Sequence, residues 1–274
     1  IIAVMGANSG VGVIKLLQMF ANGKTFLKLG KTEEEGQIIN EEISKVQSSN
    51  DPLYKSTMFA ILRKAGVLRD GVIIGKLLGS ASIAQTHIVT LKDGKKVVAK
   101  FKRPSIAKNL DADFKILEEL LKYFKSNFPD MAWPEARQVN DMINEELDFT
   151  IEMNAAIKIS NNAKKRKSKI RIPKIYTVVN GNLEEATQDV RQSAAENVFF
   201  QEYIDGEPLS KKNKNQKSRI YFDILQEFFE EVFEDGFFHA DLHEGNIMID
   251  RQGRIVFIDF GGCGQIRGKD EVEK

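Results

Sequence analysis

Apolar residues recur along this chain in two rhythms. Short apolar runs at Ile73–Leu78, Ile83–Leu91, Lys96–Phe101, Val198–Ile204, Ile247–Ile249 and Ile255–Ile258 predict β-strands. Turn formers separate several of them: Gly79-Ser80-Ala81-Ser82, Lys92-Asp93-Gly94-Lys95 and Asp250-Arg251-Gln252-Gly253. Helical spacing starts at Ile38, Ile39, Ile43 and Val46. After the helix start Asp51-Pro52 it continues in Met58, Ile61, Leu62 and Ala65. It returns in Leu110, Phe114, Leu117, Leu121 and Phe124, then in Val139, Ile143, Leu147 and Ile151, and last in Tyr221, Ile224, Leu225, Phe228 and Val232. The fourth of these stripes predicts one continuous helix after Pro134 that carries Glu146, Asp148 and Glu152. On it, Asp148 and Glu152 lie one turn apart on a shared face. Helices, a strand block, more helices and a final hairpin read as an α+β fold.

The polar positions add chemistry to this frame. Asp241 and Asn246 are five apart, and Asp259 follows thirteen later, across the hairpin 247–258. One carboxylate, one amide and a second carboxylate thus hang from one rigid hairpin. A protein-kinase catalytic loop has this layout: a base Asp, a metal-binding Asn, a strand pair and the Asp of Asp-Phe-Gly. Upstream, Gly79, Ser80, Ala81 and Ser82 join two strands, and Lys100 closes Val97-Val98-Ala99-Lys100. Backbone N–H groups approach phosphate only where side chains are small, and a strand Lys can pair with those phosphates. A helix carboxylate to partner that Lys is available at Glu146, Asp148 or Glu152. The run Val198–Ile204, with Glu202 and Ile204 at its end, takes the place of a hinge whose backbone would hold adenine.

The chain has 274 residues and is 42% hydrophobic, enough for one large core or two lobes. Forty basic residues stand against 39 acidic ones, so no overall field favours nucleic acid, and aromatics are not interleaved with the basic runs. The single cysteine, Cys263, rules out an internal disulfide and fits a reducing compartment. His239 and His243 read as loop histidines that hydrogen-bond, since no third nitrogen ligand is near for zinc. Two basic stretches, 158–174 and 211–219, read as solvated loops. Contact with anionic lipid headgroups, at about 1 kcal/mol per Lys or Arg, is the functional alternative.

No apolar run reaches the roughly 18 residues of a membrane span, and no signal peptide is recognisable. The chain begins at Ile1 and stops fifteen residues after Asp259, the expected look of a fragment of a longer protein. At the start, Ile1–Met5 followed by Gly6, Gly10 and Gly12 resembles the opening of a short-chain dehydrogenase. That family needs a Tyr with Lys four later, and none of the five tyrosines has one. A flexible or helical N-terminal segment is the expectation there.

Together these stretches resemble the UbiB family of atypical, kinase-like proteins, from about Phe26 to Gly261. The most particular pieces are Ser80-Ala81-Ser82-Ile83-Ala84-Gln85-Thr86-His87, Lys100 with Arg103-Pro104 behind it, Glu146-Leu147-Asp148-Phe149 with Glu152, and Phe238-His239-Ala240-Asp241-Leu242-His243-Glu244-Gly245-Asn246. The resemblance implies a bilobal kinase-like fold: a helical N-terminal extension over 1–71, an N-lobe with inserted helices over 72–204, and a truncated helical C-lobe over 205–274. It implies ATP and Mg as cofactors. Lys100 would pair with Glu152 and the phosphates, Asp241 would take the catalytic-base position, and Asn246 and Asp259 would bind the metal. Lys28 would be the extension's lysine, facing Glu146 and Asp148. Two departures stand out: Lys31 where the family has Gln, and Gly79 where its alanine-rich loop begins with Ala.

The implied function is that of an ATPase or a small-molecule or lipid kinase supporting isoprenoid-quinone biosynthesis or lipid homeostasis. The alternative is a catalytically silent, nucleotide-sensing scaffold of a lipid-pathway complex. Implied partners are ATP and ADP, a membrane lipid or isoprenoid-quinone precursor and a quinone-biosynthesis complex, with no nucleic acid. The expected location is cytoplasmic or on the matrix side of an organelle, peripheral at a membrane.

Overall fold

A computed structural model of the chain describes residues 13, 52–67, 71–104, 106–127, 129, 133–191 and 196–266. The helical stripe Ile38–Val46 and the residues Lys28 and Lys31 lie outside the described residues. The described residues fall into two compact units. One is drawn from Ile1–Ile61, Gly75–His87 and Lys100–Leu147, the other from Leu62–Ile74, Ile88–Ala99 and Asp148–Lys274.

Strands β1 (Ile73–Ser80), β2 (Ala84–Thr90) and β3 (Lys96–Lys102) form where the apolar runs predict them. They belong to a six-stranded sheet of order β1-β2-β3-β6-β4-β5, completed by β4 (Ile175–Val179), β5 (Asn182–Glu185) and β6 (Val198–Glu202). Gly79 and Ser80 prolong β1, so the small-residue turn is narrower than expected and centres on Ala81–Ile83. Strand β6 stops at Glu202, which leaves Ile204 in the connection beyond it.

Helix α1 (Lys55–Lys64) buries Met58, Ile61 and Leu62, the face its spacing dictates. In the first unit, α2 (Ile106–Asn127) and α3 (Ala136–Leu147) pack through Leu117, Leu121, Val139 and Ile143, with Ile83 and Ile106. Trp133 stacks on Phe124 beside this cluster, the rings 4.8 Å apart.

The expected continuous helix after Pro134 is two helices. Helix α3 ends at Leu147 and α4 runs from Phe149 to Arg166. Asp148 is the N-cap of α4: its backbone is extended, and its carboxylate accepts from Thr150 N at 3.0 Å and Thr150 Oγ1 at 2.6 Å. Capping by a side-chain oxygen outcompetes continuation of the helix here. Asp148 and Glu152 therefore do not share a helical face, and Ile151 is exposed instead of joining the apolar stripe.

Both basic stretches also differ from the loops expected of them. Lys158, Lys164, Lys165 and Arg166 are on α4. Asn213 opens α5 (Lys214–Glu230) through a reciprocal capping box with Gln216, so residues 214–219 are helical. The buried face of α5 carries Ile224 and Glu227, and Glu231 follows in the π-helical turn Glu231–Asp235. Phe222, Leu225 and Phe229 are exposed.

Glu227 and Glu231 are buried because a cation and a backbone donor meet them. Arg166, itself buried, gives Nη2 to Glu227 at 2.8 Å, Nη1 to Glu230 at 2.9 Å and Nε to Asp235 at 3.0 Å. Ser168 adds a hydroxyl donor to Glu227. One planar guanidinium thus ties the end of α4 to α5 and to the π-helical turn. The rest of the second unit is a three-stranded sheet of order β10-β9-β7 and a two-stranded one of β8 and β11. These comprise β7 (Gly206–Pro208), β8 (Phe237–His239), β9 (Ile247–Asp250), β10 (Ile255–Phe257) and β11 (Cys263–Gln265).

Candidate nucleotide-phosphate site

In the first unit, Arg103 organises the small-residue turn. Its backbone N–H donates to Ile83 O at 2.9 Å, its Nε to Ala81 O at 3.1 Å and its Nη2 to Ser80 Oγ at 2.9 Å. Ala81 N closes the turn on Ala84 O at 2.8 Å. A long cation thereby immobilises a segment that has almost no side chains of its own. A Cβ added at Gly79 meets nothing within 4 Å, so the departure from Ala at this position relieves no clash. Lys100 is half-buried on β3, between the buried Ala99 and Phe101. Gln85, fully buried on β2, accepts from Leu53 N at 2.6 Å and ties the strand to the segment entering α1. Glu146 lies on the last turn of α3.

In the second unit, β9 and β10 pair in register, with Ile255 opposite Ile249 and Phe257 opposite Ile247, and the hairpin anchors the polar triad. Asn246 Nδ2 donates to Asp241 O at 3.1 Å and to Asp241 Oδ2 at 3.3 Å. Both amide protons aim at Asp241, so the amide oxygen faces away from it and has no donor among the described residues. The Asn246 carbonyl accepts Ile258 N at 2.9 Å, which fixes the residue preceding Asp259. Asp259 has φ +61°, the left-handed region that non-glycine residues visit rarely and that gathers at functional sites.

Behind the loop sits His239, with no exposed surface. Asp241 N donates to its Nδ1 at 3.1 Å, so that nitrogen carries no proton, and Nε2 faces Ile258 O at 3.5 Å. Burial holds the His239 imidazole below its ordinary pKa; the Ile258 carbonyl and the nearby Asp259 and Asp241 charges oppose this. The ring packs against Phe257 and Phe260, 5.9 and 5.2 Å away. Its backbone N–H donates to Glu231 Oε2 at 2.8 Å. His243 has a different part: its Nδ1 accepts Gly245 N at 2.9 Å, and its Nε2 lies 3.8 Å from Asp241 Oδ2. Glu244 is held by Lys217 Nζ at 2.7 Å and by the Tyr221 hydroxyl, so α5 steadies the loop from its other side.

Two glycines are required by close approach. A Cβ at Gly262 would stand 2.9 Å from Asp241 Cβ, and one at Gly206 would stand 2.3 Å from Ile249 O. Burial pushes the Cys263 thiol up to about 12, and the charges of Glu231, of Glu152 in the first turn of α4 and of Asp259 add to it, so Cys263 is a poor nucleophile at neutral pH. Glu202 pairs with Arg171 Nη2 at 2.5 Å, and Arg171 bonds through its backbone to Ile255 O and Phe257 N. The end of β6 and the hairpin are thus linked through one arginine.

Asp241, Asn246 and Asp259 therefore come together in the second unit, with Glu152 within electrostatic reach of the same neighbourhood. Asp148 is a helix cap. The polar pattern gave Arg103 and Gln85 no role beyond their place in the motifs and did not single out Glu231, while His239 makes the hydrogen bonds expected of it, from the end of β8. An Arg directly before Pro104 and a His two before Asp241 were the available signals. Buried acids such as Glu231 leave none, because Glu reads as surface. The donor set fits magnesium: the Asn246 amide oxygen and the Asp259 carboxylate are hard ligands, and that ion takes few protein oxygens alongside phosphate and water. Among the described residues no group of three or more His, Cys, Asp or Glu forms a closed metal cage. No helix among them is long and apolar enough to cross a membrane.

Comparison with known proteins gives a consistent picture. The model of the ABC1 atypical kinase-like domain matches residues 75–273. A Clostridium pasteurianum protein described as uncharacterized, in the hydrogenase 1 5′ region, is 33% identical over 197 residues, 69% of this chain and 34% of its own. The probable protein kinase UbiB of Histophilus somni is 32% identical over 211 residues, 71% of this chain and 36% of its own. The chain thus spans about a third of the length of these curated relatives. Among solved structures, that of the Mycobacterium tuberculosis protein Rv3197 with erythromycin superposes with a TM-score of 0.57 at 22% identity. It covers 96% of this chain and 63% of that one, a likeness of fold.

Proposed function

This chain belongs to the ABC1 atypical kinase-like family, and we propose that it binds ATP with magnesium and acts as an ATPase or a small-molecule or lipid kinase. The observation that carries the reading is the double donation of Asn246 to Asp241, beside an Asp259 held in a left-handed conformation. In this reading the backbone of the Gly79–Ser82 segment, braced by Arg103, contacts the phosphates, and Lys100 brings positive charge to them. The backbone near Glu202 and Ile204 receives the adenine. Asn246 Oδ1 and Asp259 supply oxygen ligands for the metal, whose charge, when bound, offsets that on the phosphate oxygens. Asp241 orients the acceptor hydroxyl or water and takes up its proton. The Asn246 donors keep that carboxylate in one rotamer, and the His239 bond to Asp241 N fixes the backbone beneath it. Glu152 stands as the helix carboxylate of the set, with Lys28, Glu146 and Asp148 as further candidates around the phosphates. The UbiB name of one relative supports a place in isoprenoid-quinone or lipid metabolism, peripheral at a membrane.

Thermal unfolding with MgATP and MgADP tests the nucleotide reading. A nucleotide at 100 times its dissociation constant adds about 2.7 kcal/mol, a shift of several degrees. Absence of any shift with either nucleotide would overturn it. Steady-state phosphate release by the parent and by Asp241→Asn then separates an enzyme from a silent scaffold: equal rates at background mean the scaffold.

A further inference from the structure

The second unit contains a cavity of about 360 Å3 between the C-terminal half of α4, the connection 167–174 and the β4–β5 hairpin. Its size falls in the range of small-molecule sites. Ile157, Ala163, Ile172 and Pro173 belong to its apolar lining, and Lys164, Lys167 and Lys169 are exposed cations on its rim, as are Lys174 and Arg254.

The other charges of the lining are already committed. Glu185 is paired with Lys174 at 2.5 Å, and Glu202 with Arg171 at 2.5 Å. Arg254 is held by Asp250 at 2.8 Å. Neighbouring cations of the same stretch are also spoken for: Arg166 in its carboxylate cluster, and Lys158 over the Phe237 ring at 4.0 Å. Lys164, Lys167 and Lys169 have no carboxylate within 4.0 Å among the described residues. The concavity is therefore net positive, and concave low-dielectric walls focus such a field.

A basic last turn alone would be ordinary, because cations there offset the carbonyl ends of a helix. Two features go beyond that. Lys169 lies past the helix. Lys167 occupies the left-handed C-cap, φ +59°, with its N–H on Lys164 O and Ser168 N on Ala163 O. Glycine takes this position at lower cost, and a lysine there sets the chain reversal that turns residues 167–169 toward the cavity.

We infer that this cavity binds a phosphate-bearing amphiphile. Lys164, Lys167 and Lys169 take the phosphate, and the apolar body lies against Ile157, Ala163, Ile172 and Pro173. A phosphate recruits the three ammonium groups as charge-assisted donors, and burial of the alkyl chain against the apolar lining adds to the affinity. The phosphate can come from a free amphiphile or from a lipid headgroup, and the two are separable by experiment.

The test is calorimetric titration of the whole chain with monomeric octyl phosphate, inorganic phosphate and octanol, with sedimentation on phosphatidylcholine vesicles containing phosphatidic acid. Octyl phosphate should bind at least tenfold more tightly than either fragment. The charge variant Lys164→Gln/Lys167→Asn/Lys169→Gln should weaken it at least tenfold; Asn tolerates the left-handed cap. Ala186→Phe, which fills the cavity at unchanged charge, should abolish it while circular dichroism stays parental. Vesicle binding that Ala186→Phe also removes identifies the headgroup as the source, and octyl phosphate binding without vesicle binding identifies the free amphiphile. No preference for octyl phosphate over inorganic phosphate, or binding that survives either variant, overturns the inference. Vesicle binding that needs the lysines but ignores Ala186→Phe, with no uptake of octyl phosphate, reduces the lysines to a charged surface and overturns it as well.

Discussion

Asn246 spends both of its amide protons on Asp241, at 3.1 Å to the carbonyl and 3.3 Å to the carboxylate. The pairing does two things at once. It fixes the rotamer of the carboxylate, and it turns the amide oxygen outward as the free ligand. Asn246→Ala removes both. The expected outcome is a fall of at least about a hundredfold in phosphate release, comparable to loss of one preorganised donor. The stability cost is about 1 kcal/mol, since two modest hydrogen bonds are lost from a site that is partly wet. Phosphate release and urea unfolding of the same preparation check the two numbers. A variant with parental turnover would remove Asn246 from the site.

Gly262 tests whether position alone matters. Its missing Cβ leaves room for Asp241, whose own Cβ would be 2.9 Å away. In Gly262→Ala the clash is with a side chain rooted in backbone, so the loop must shift by a few tenths of an ångström. Overpacking of this kind costs about 1–3 kcal/mol. The expected signature is a strong loss of phosphate release with nucleotide-induced stabilisation retained, since Asp241 moves while the nucleotide contacts stay. Loss of both together would mean a general collapse of the loop.

How far these relationships could be read from the residues depends on their kind. The hairpin 247–258 was legible because two short apolar runs and Asp250–Gly253 turn chemistry agree, and the ladder of Ile255 on Ile249 follows. Strands β1–β3 were legible in the same way, and helix α2 from the helical spacing of Leu110, Phe114, Leu117, Leu121 and Phe124. The break at Asp148 was not, because Val139, Ile143, Leu147 and Ile151 keep helical spacing across it. A cap acts through one side-chain bond, here to Thr150, that periodicity does not register. The Asn213-to-Gln216 capping box was available as a pattern but was masked by the charge of its surroundings. Glu227 and Glu231 were out of reach, since the arginine and the backbone N–H that make their burial tolerable come from residues 166 and 239.

Arg166 is the clearest structural arginine. With 8% of its side chain exposed, it satisfies Glu227, Glu230 and Asp235 at once. Arg166→Met keeps the volume and leaves three carboxylates without their cation. Removing one partner of a buried pair costs about 3–5 kcal/mol. Arg166→Lys should be destabilising too, because one ammonium cannot reproduce the three-way fork. Denaturant midpoints of both variants check this. An unchanged midpoint for Arg166→Met would show the cluster to be solvated in solution.

Glu231 should write itself into the pH dependence of stability. Burial pushes its carboxyl up to about 7, with the Glu227 and Asp235 charges adding to that; the His239 N–H and Arg166 oppose it. Its Oε1 is buried without a hydrogen-bond partner among the described residues, so no donor there favours the charged form. The folded pKa lies above the ordinary value of 4.5, so at intermediate pH the folded protein holds a proton that the unfolded chain has released. The stability from this group is full below about 4.5 and is lost as pH rises through about 7, to a total of roughly 3 kcal/mol. His239 works in the opposite sense. Its folded pKa is depressed by burial, so its contribution is present above its ordinary value of 6.5 and is lost as pH falls below it. Glu231→Gln keeps an oxygen for the His239 N–H and removes the ionisation. The variant should gain stability over the parent above pH 7, and between pH 5 and 7 its unfolding free energy should lack the parent's decline with rising pH. Urea unfolding at pH 5, 6, 7 and 8 measures both curves. If the two run parallel, Glu231 does not titrate between the folded and unfolded states, and its burial is relieved by water.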